Sequence, residues 1–235
     1  MMIIVFVLAG LCLGSFVNAL VWRIHEQSKS NKKRLAKDSD LSVVTGRSMC
    51  VHCGHTLGVK DLIPVLSWLS LGGKCRYCCK SISWQYPLIE ILTAFIFVFS
   101  YLNWPYGFEA LGIFQFICWL LLLTGFMAHI VYDLKWMILP DRITIFLVCI
   151  VSVQVLVSSV ILRDISVITS SALGILTLSG LFYVLFQASK GKWIGGGDVK
   201  LAVALGALVG GPVESLLLLF IASLLGTFAA LPLIV

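Results

Sequence analysis

Apolar runs separated by short polar segments repeat along the whole chain. They lie near 2–22, 87–102, 110–132, 142–162, 166–188 and 213–235, and each approaches the roughly 20 helical residues that cross a bilayer. A further run at 199–210 is apolar but short, and either crosses at a thin point or dips into the membrane. Unpaired backbone is not tolerated in lipid, so every run is read as a helix. The pattern predicts an all-α polytopic membrane protein with about six to seven transmembrane helices. A secretory signal peptide is the alternative for the first run, which however is long and ends in Arg23 without a small-residue cleavage site. A retained first helix is expected.

Composition supports this reading. Hydrophobic residues make up 60% of the chain and charged residues 12%, against about 25% charged in a soluble domain, and the mean hydropathy is +1.03. The net charge of +6 is placed unevenly, with 11 of the 17 Lys and Arg residues between Arg23 and Lys80, after the first run and before the second. By the positive-inside rule that segment is cytoplasmic and the N-terminus lies outside. Alternation then places 133–141 and 189–198 inside, where Lys135, Arg142, Lys190, Lys192 and Lys200 agree; Arg163, beside Asp164, is the one cation at an outer position. Topology accounts for the basic loop, and no nucleic-acid partner is expected.

The expected organisation is a first transmembrane helix at 1–22, a cytoplasmic polar segment at 23–86 and a membrane-embedded domain at 87–235. The first part of the polar segment, "HEQSKSNKKRLAKDSDLS", is charged and poor in large apolar residues, which predicts a mobile surface loop. The second part holds Cys50-x2-Cys53 and Cys75-x2-Cys78, with 21 residues between the pairs. Each pair can point two thiolates at one ion, and two such knuckles make a closed tetrahedral zinc site. Disulfides are disfavoured in the reducing cytoplasm. The zinc is expected to be structural, because so small a segment has little core and metal binding supplies folding energy. With four thiols filling the site, His52 and His55 read as exposed polar residues and Cys79 as a spare thiol. Cys12, Cys118 and Cys149 lie within apolar runs and read as small filler.

Four carboxylates fall at the inner ends of apolar runs: Glu90, Asp133, Asp141 and Asp198. Ionisable groups at membrane depth are functional candidates. Asp141 follows Pro140 and opens a run, so helix capping explains it; Glu90 lies one turn into "PLIEILTAF", where the helix dipole favours an anion. Asp133 ends the run "FMAHIVYD", where a helix C-terminus repels negative charge, so Lys135, a proton or a partner must offset it. Asp198 follows Gly195, Gly196 and Gly197. Those glycines remove bulk and open torsions closed to other residues, so an extended peptide can approach and pair with the backbone beside the carboxylate. Asp133 and Asp198 fall on one membrane face by the topology argument. Two carboxylates within hydrogen-bond reach share one proton, giving a base for water and an acid for a peptide carbonyl, without metal at the reactive centre.

The chain resembles the bacterial type IV prepilin peptidases, polytopic aspartyl proteases of the inner membrane. The resemblance runs in order through "LGSFVNALVWRI" (13–24), the paired cysteines, "IPVLSWLSLGGKCRYC" (63–78), "QYPLIEILTA" (85–94), "DLKWMILPDRIT" (133–144) and "IGGGDVKLAVALGA" (194–207). It implies that Asp133 and Asp198 are the catalytic pair, that Gly195 and Gly197 belong to a Gly-x-Gly-Asp signature, and that Cys50, Cys53, Cys75 and Cys78 are the cytoplasmic zinc motif. The implied activity is removal, after a glycine, of a short basic leader from prepilins or pseudopilins. Many members then methylate the new N-terminal amine with S-adenosylmethionine, an activity that would involve the cytoplasmic segment near Gly72-Gly73-Lys74. Members usually continue past the last helix with a proline- and glycine-containing segment and a final helix, whereas this sequence ends in "AALPLIV".

Small residues recur at helical spacing: Gly10 and Gly14, Ser170 and Gly174, Gly206 and Gly210, then Ala222, Gly226 and Ala230. They predict close helix packing within a monomer, with a dimer as the alternative. Asn18 is expected to hydrogen-bond another helix. The rival readings are a family member with peptidase activity alone, a zinc-anchored scaffold without activity, and a transporter. A transporter would normally place its aspartates near mid-bilayer and show two related halves, neither of which is visible here.

Overall fold

The computed structural model describes residues 1–29, 41–43 and 45–234. Its helices are α1 (Met2–Ser28), α2 (Leu66–Ser70), α3 (Gln85–Leu102), α4 (Ala110–Trp136), α5 (Asp141–Leu162), α6 (Ser166–Ser189), α7 (Gly196–Val209) and α8 (Pro212–Ile234), with a 3₁₀ turn at Val59–Leu62. Among the described residues the only β-type pairing is two isolated bridges, Met49 with Thr56 and Lys74 with Ser81. The expected all-α polytopic architecture is therefore the observed one. Helices α1, α3, α4, α5 and α6 are each long and apolar enough to cross a membrane. The run expected to be short is α7, whose 14 residues reach about 21 Å at 1.5 Å per residue, below a hydrocarbon core of about 30 Å. Most of the segment expected as a mobile loop, residues 30–40 with Lys32, Lys33, Arg34 and Lys37, lies outside the described residues.

α1 continues through Arg23 to Ser28 despite its polar end. The Arg23 guanidinium is buried and donates to the carbonyls of Ser42, Val43 and Gly46 at 3.0–3.3 Å. A charge can be carried into a buried helix end when hydrogen-bond acceptors meet it there.

The chain divides into two compact units. One comprises Met1–Gly107 with Leu123–Met137, the other Phe108–Leu122 with Ile138–Val235, so that α4 contributes its second half to the first and its first half to the second. In the first unit α1 and α3 meet backbone to backbone. A Cβ on Gly10 would stand 2.4 Å from Ala94 Cα, and one on Gly14 2.7 Å from Glu90 Cα. Asn18 joins the same two helices as expected: its amide donates to the carbonyls of Gly14 and Tyr86, both at 3.3 Å, and its oxygen accepts from Gln85 Nε2 at 3.1 Å.

The second unit repeats this device between α6 and α7. A Cβ on Gly174 would lie 2.2 Å from the Gly206 carbonyl oxygen, and one on Gly206 2.5 Å from that of Gly174. Ser171 and Ser179 of α6 donate to the carbonyls of Ala207 and Val199 at 3.0 Å. Gly210 and Gly211, at φ +67° and +59°, turn the chain from α7 into α8. The small-residue pattern thus marks packing seams at α1–α3 and α6–α7, but not at Gly226, whose missing Cβ faces open space.

Gly174→Ala is expected to destabilise the chain by about 1–3 kcal/mol through overpacking, whereas Gly226→Ala should stay within about 0.5 kcal/mol of the parent. Thermal unfolding of both variants in the same detergent checks this; equal melting temperatures would mean that the α6–α7 seam yields without strain.

Candidate active site and metal centre

The polar segment between α1 and α3 is built on two turns of the same design. In the first, the Cys50 N–H donates to the His55 carbonyl and the Gly54 N–H to the Cys50 carbonyl, both at 2.9 Å. In the second, the Cys75 N–H donates to the Lys80 carbonyl at 2.9 Å and the Cys79 N–H to the Cys75 carbonyl at 3.0 Å. Each turn is closed by its bridge, Met49–Thr56 or Lys74–Ser81, and each needs a left-handed residue just after its second cysteine. Gly54 supplies this at φ +69° and Cys79 at φ +55°. Cys79 is therefore more than a spare thiol: its backbone occupies the position that Gly54 holds in the other turn, and its side chain is exposed.

The two turns bring Cys50, Cys53, Cys75 and Cys78 together, with their Sγ atoms all within 4.8 Å of one another. The Cys50 and Cys78 sulfurs lie 3.9 Å apart, close to the roughly 3.8 Å between thiolates on a tetrahedron with bonds of about 2.3 Å. The donor set and spacing therefore fit a tetrahedral ion. Burial opposes ionisation of Cys75, but the N–H groups of Cys78 and Tyr77 and the thiols of Cys50 and Cys78 outweigh it and bring its pKa down to about 7, which favours the ligating thiolate. His52 and His55 are exposed as expected, and the His55 ring packs against Tyr77 at a tilt of 35° with ring centres 3.7 Å apart, tying one turn to the other.

Three further contacts position this segment. Asp61 accepts from Arg76 Nε at 2.7 Å, Tyr77 Oη at 3.2 Å and the Gly58 N–H at 3.2 Å, and the Arg76 hydrogen bond in particular holds its carboxyl below the usual range. Trp68 donates from Nε1 to the Ile82 carbonyl at 3.1 Å and lies over Gly73, where a Cβ would come within 2.8 Å of the indole. Glu90, read in the sequence as a dipole-stabilised residue of α3, is 6% exposed and accepts the Val65 N–H at 2.7 Å. Val65 itself sits at φ +60°, a costly conformation for a β-branched residue. The Glu90–Val65 contact carries no local sequence signal, since its partners are 25 residues apart and only the fold brings them together.

Asp133 lies in the last turn of α4, in the first unit, and is exposed. Its carbonyl accepts the Met137 N–H at 2.7 Å, and Met137, at φ +52°, ends the helix. The Lys135 ammonium lies over the Trp136 ring, 5.5 Å from its centre. Trp136 in turn stacks on His25 of α1, 3.8 Å away and nearly parallel, and packs against Tyr132. One turn before Asp133, His129 is buried and within its electrostatic reach.

Asp198 lies in the first turn of α7, in the second unit. Its Oδ2 accepts the Gly195 N–H at 3.1 Å, so it caps the helix start from the third helical position rather than as the N-cap. The glycines before it do not use the torsional freedom expected of them: Gly195 has φ −73°, and neither Gly196 nor Gly197 has positive φ. Their lack of bulk is what the packing uses, since a Cβ on Gly197 would lie 3.0 Å from Leu139 Cβ and one on Gly195 3.0 Å from Asp198 Oδ2. Asp141 also differs from expectation. The N-cap of α5 is Pro140, and Asp141, the first helical residue, accepts from Lys200 Nζ of α7 at 2.7 Å.

Residues 8–104 match the family described as Bacterial Peptidase A24 N-terminal domain, and residues 114–231 match the Type IV leader peptidase family. The chain is similar to the "Type 4 prepilin-like proteins leader peptide-processing enzyme" of Escherichia coli O78:H11, with 33% identity over 208 residues, 86% of this chain and 74% of that protein. It is similar to the "Prepilin leader peptidase/N-methyltransferase" of Pseudomonas aeruginosa, with 32% identity over 231 residues, 94% of this chain and 77% of that protein. To the protein of the same description in Vibrio cholerae it is 33% identical over 227 residues, 94% of this chain and 82% of that one. No solved structure matches the chain.

Protein purified without chelators is expected to carry one metal ion per chain, measured by inductively coupled plasma mass spectrometry. Cys75→Ser should lose it, while Cys79→Gly should keep it and gain up to about 1 kcal/mol from a relieved left-handed backbone. Loss of metal in Cys79→Gly would mean that the fifth thiol is itself a ligand.

Proposed function

The chain belongs to the type IV leader peptidase family, and from that premise we propose that it is a membrane aspartyl endopeptidase acting on type IV prepilins or pseudopilins. It removes their basic leader peptide after a glycine, at the cytoplasmic face of the bacterial inner membrane, and then N-methylates the new N-terminal residue. The observation that carries the reading is the match of residues 114–231 to this family, with Asp133 and Asp198 each at a helix end within the matched stretch.

In this reading Asp133 and Asp198 share one proton. The ionised carboxylate takes a proton from water, the protonated one donates a hydrogen bond to the scissile carbonyl, and the roles exchange as the tetrahedral intermediate collapses and the amine leaves. An extended substrate segment approaches Asp198 at the start of α7, where Gly195 and Gly196 carry no side chain to block it. The basic leader stays on the side of the cationic segment, with the N-terminus of the enzyme outside and its cysteine domain inside. Cys50, Cys53, Cys75 and Cys78 hold a structural zinc ion that folds this domain. The methyl donor is S-adenosylmethionine, which supplies a methyl group on positively charged sulfur for attack by the deprotonated N-terminal amine. The enzyme acts as a monomer in the bilayer.

A second reading, peptidase activity alone, is favoured by one observation: the E. coli relative is described only by leader-peptide processing. Incubating the purified chain with a prepilin and a labelled methyl donor, then weighing the new N-terminus by mass spectrometry, separates the two.

In that assay Asp133→Asn and Asp198→Asn are each expected to lower leader cleavage by a factor on the order of 10³ or more, with metal content unchanged. Asp141→Asn, which weakens an exposed ion pair worth less than about 1 kcal/mol, should remain within about tenfold of the parent. Normal cleavage by either of the first two variants would rule out the carboxylate pair.

A further inference from the structure

The first unit holds a cavity of about 460 Å³, walled by α1, the cysteine turns and the start of α3. Its size is typical of small-molecule sites, which run from roughly 300 to 1,000 Å³. Aromatic residues Trp22, Trp68 and Tyr86 line it, and Glu90 and Arg47 bring charge to the same space. Among the described residues, no cationic side chain forms a salt bridge with Glu90 and no carboxylate forms one with Arg47. The other charges near it are committed. Asp61 and Arg76 pair with each other, Arg23 is held by three carbonyls, and Lys135 lies over Trp136.

A buried carboxylate without a cationic partner is costly, and that cost is lowered when a cation enters beside it. Aromatic walls add attraction for a cation and a stacking surface for a flat ring. Val65 points the same way. It is held at φ +60° with its N–H on Glu90, and strain of this kind clusters at ligand clamps.

We propose that this cavity seats the methyl donor, with its sulfonium beside Glu90, its carboxylate toward Arg47 and its base among the indole and phenol rings. The proposal rests on the methyltransferase half of the reading above and gives that activity side chains other than Asp133 and Asp198. The charge pattern also accounts for turnover. The amine lone pair forms the new N–C bond, the electrons of the C–S bond return to sulfur, and the amine proton passes to water. Sulfur is then neutral, its attraction to Glu90 is gone, and the product leaves more readily than the donor.

The test is equilibrium binding to the detergent-solubilised full chain, using S-adenosylmethionine and its uncharged-sulfur product S-adenosylhomocysteine. Glu90→Gln is expected to weaken the cationic donor at least about tenfold while changing the product little, because the lost contact is a charge contact. Arg47→Ala should weaken both about equally, because both carry the carboxylate. In the parent, ultraviolet cross-linking of labelled donor should mark peptides containing Trp22, Trp68 or Tyr86. Metal content reports whether Glu90→Gln is still folded; if it is not, Arg47→Ala, an exposed change, and the cross-link decide. Parent-like binding in both variants, or a cross-link mapping wholly elsewhere, would overturn the cavity assignment even if the parent methylates prepilin. A parent that neither binds donor nor methylates removes the methyltransferase reading, and this proposal with it.

Discussion

In lipid every backbone N–H and C=O must be satisfied within the protein, and this demand governs where chemistry can occur in the chain. Helix interiors have no spare donors or acceptors and no room for an unpaired charge. The side chains proposed for peptide hydrolysis accordingly stand at helix ends, Asp133 in the last turn of α4 and Asp198 in the first turn of α7. Glu90 tests the rule from the other side. It is a carboxylate buried within α3, and it takes a hydrogen bond from Val65, a residue outside any membrane-spanning helix.

The same demand explains the two ways in which helices are held together. Apolar side chains gain little by touching one another when the alternative is a lipid tail, so close approach of backbones does the work. α1 meets α3 through Gly10 and Gly14, and α6 meets α7 through Gly174 and Gly206. Outside the spans this device is replaced by sulfur. Among its described residues the segment between α1 and α3 has few buried apolar side chains, Leu41 being one, and its organisation converges on four thiols.

Much of this was legible in the sequence because it is local. Apolar runs gave the helices to within a few residues, and the Cys-x2-Cys spacing anticipated the clustered sulfurs. The failures have a common physical cause, which is that they depend on a partner distant in sequence. α1 outruns its apolar stretch because Arg23 finds carbonyls at 42, 43 and 46. Asp141 looked like a helix cap because nothing nearby announces Lys200. The three glycines before Asp198 suggested unusual torsions, whereas Leu139 packed on Gly197 gives a reason for smallness instead. The equivalence of Cys79 and Gly54 was readable from their matched offsets, but reactivity rather than backbone shape is what a cysteine first brings to mind.

The brevity of α7 has a consequence for the lipid around it. Were α7 to span alone, its 14 residues would leave roughly 9 Å of hydrocarbon thickness unmatched, and fluid acyl chains respond to such mismatch by compressing and tilting. Thinning of that kind beside the turn that carries Asp198 would bring headgroup water closer to a carboxylate that a full-length helix would have kept at a fixed depth. Lipid deformation of this kind would shorten the path by which a peptide and a water molecule reach the same side chain.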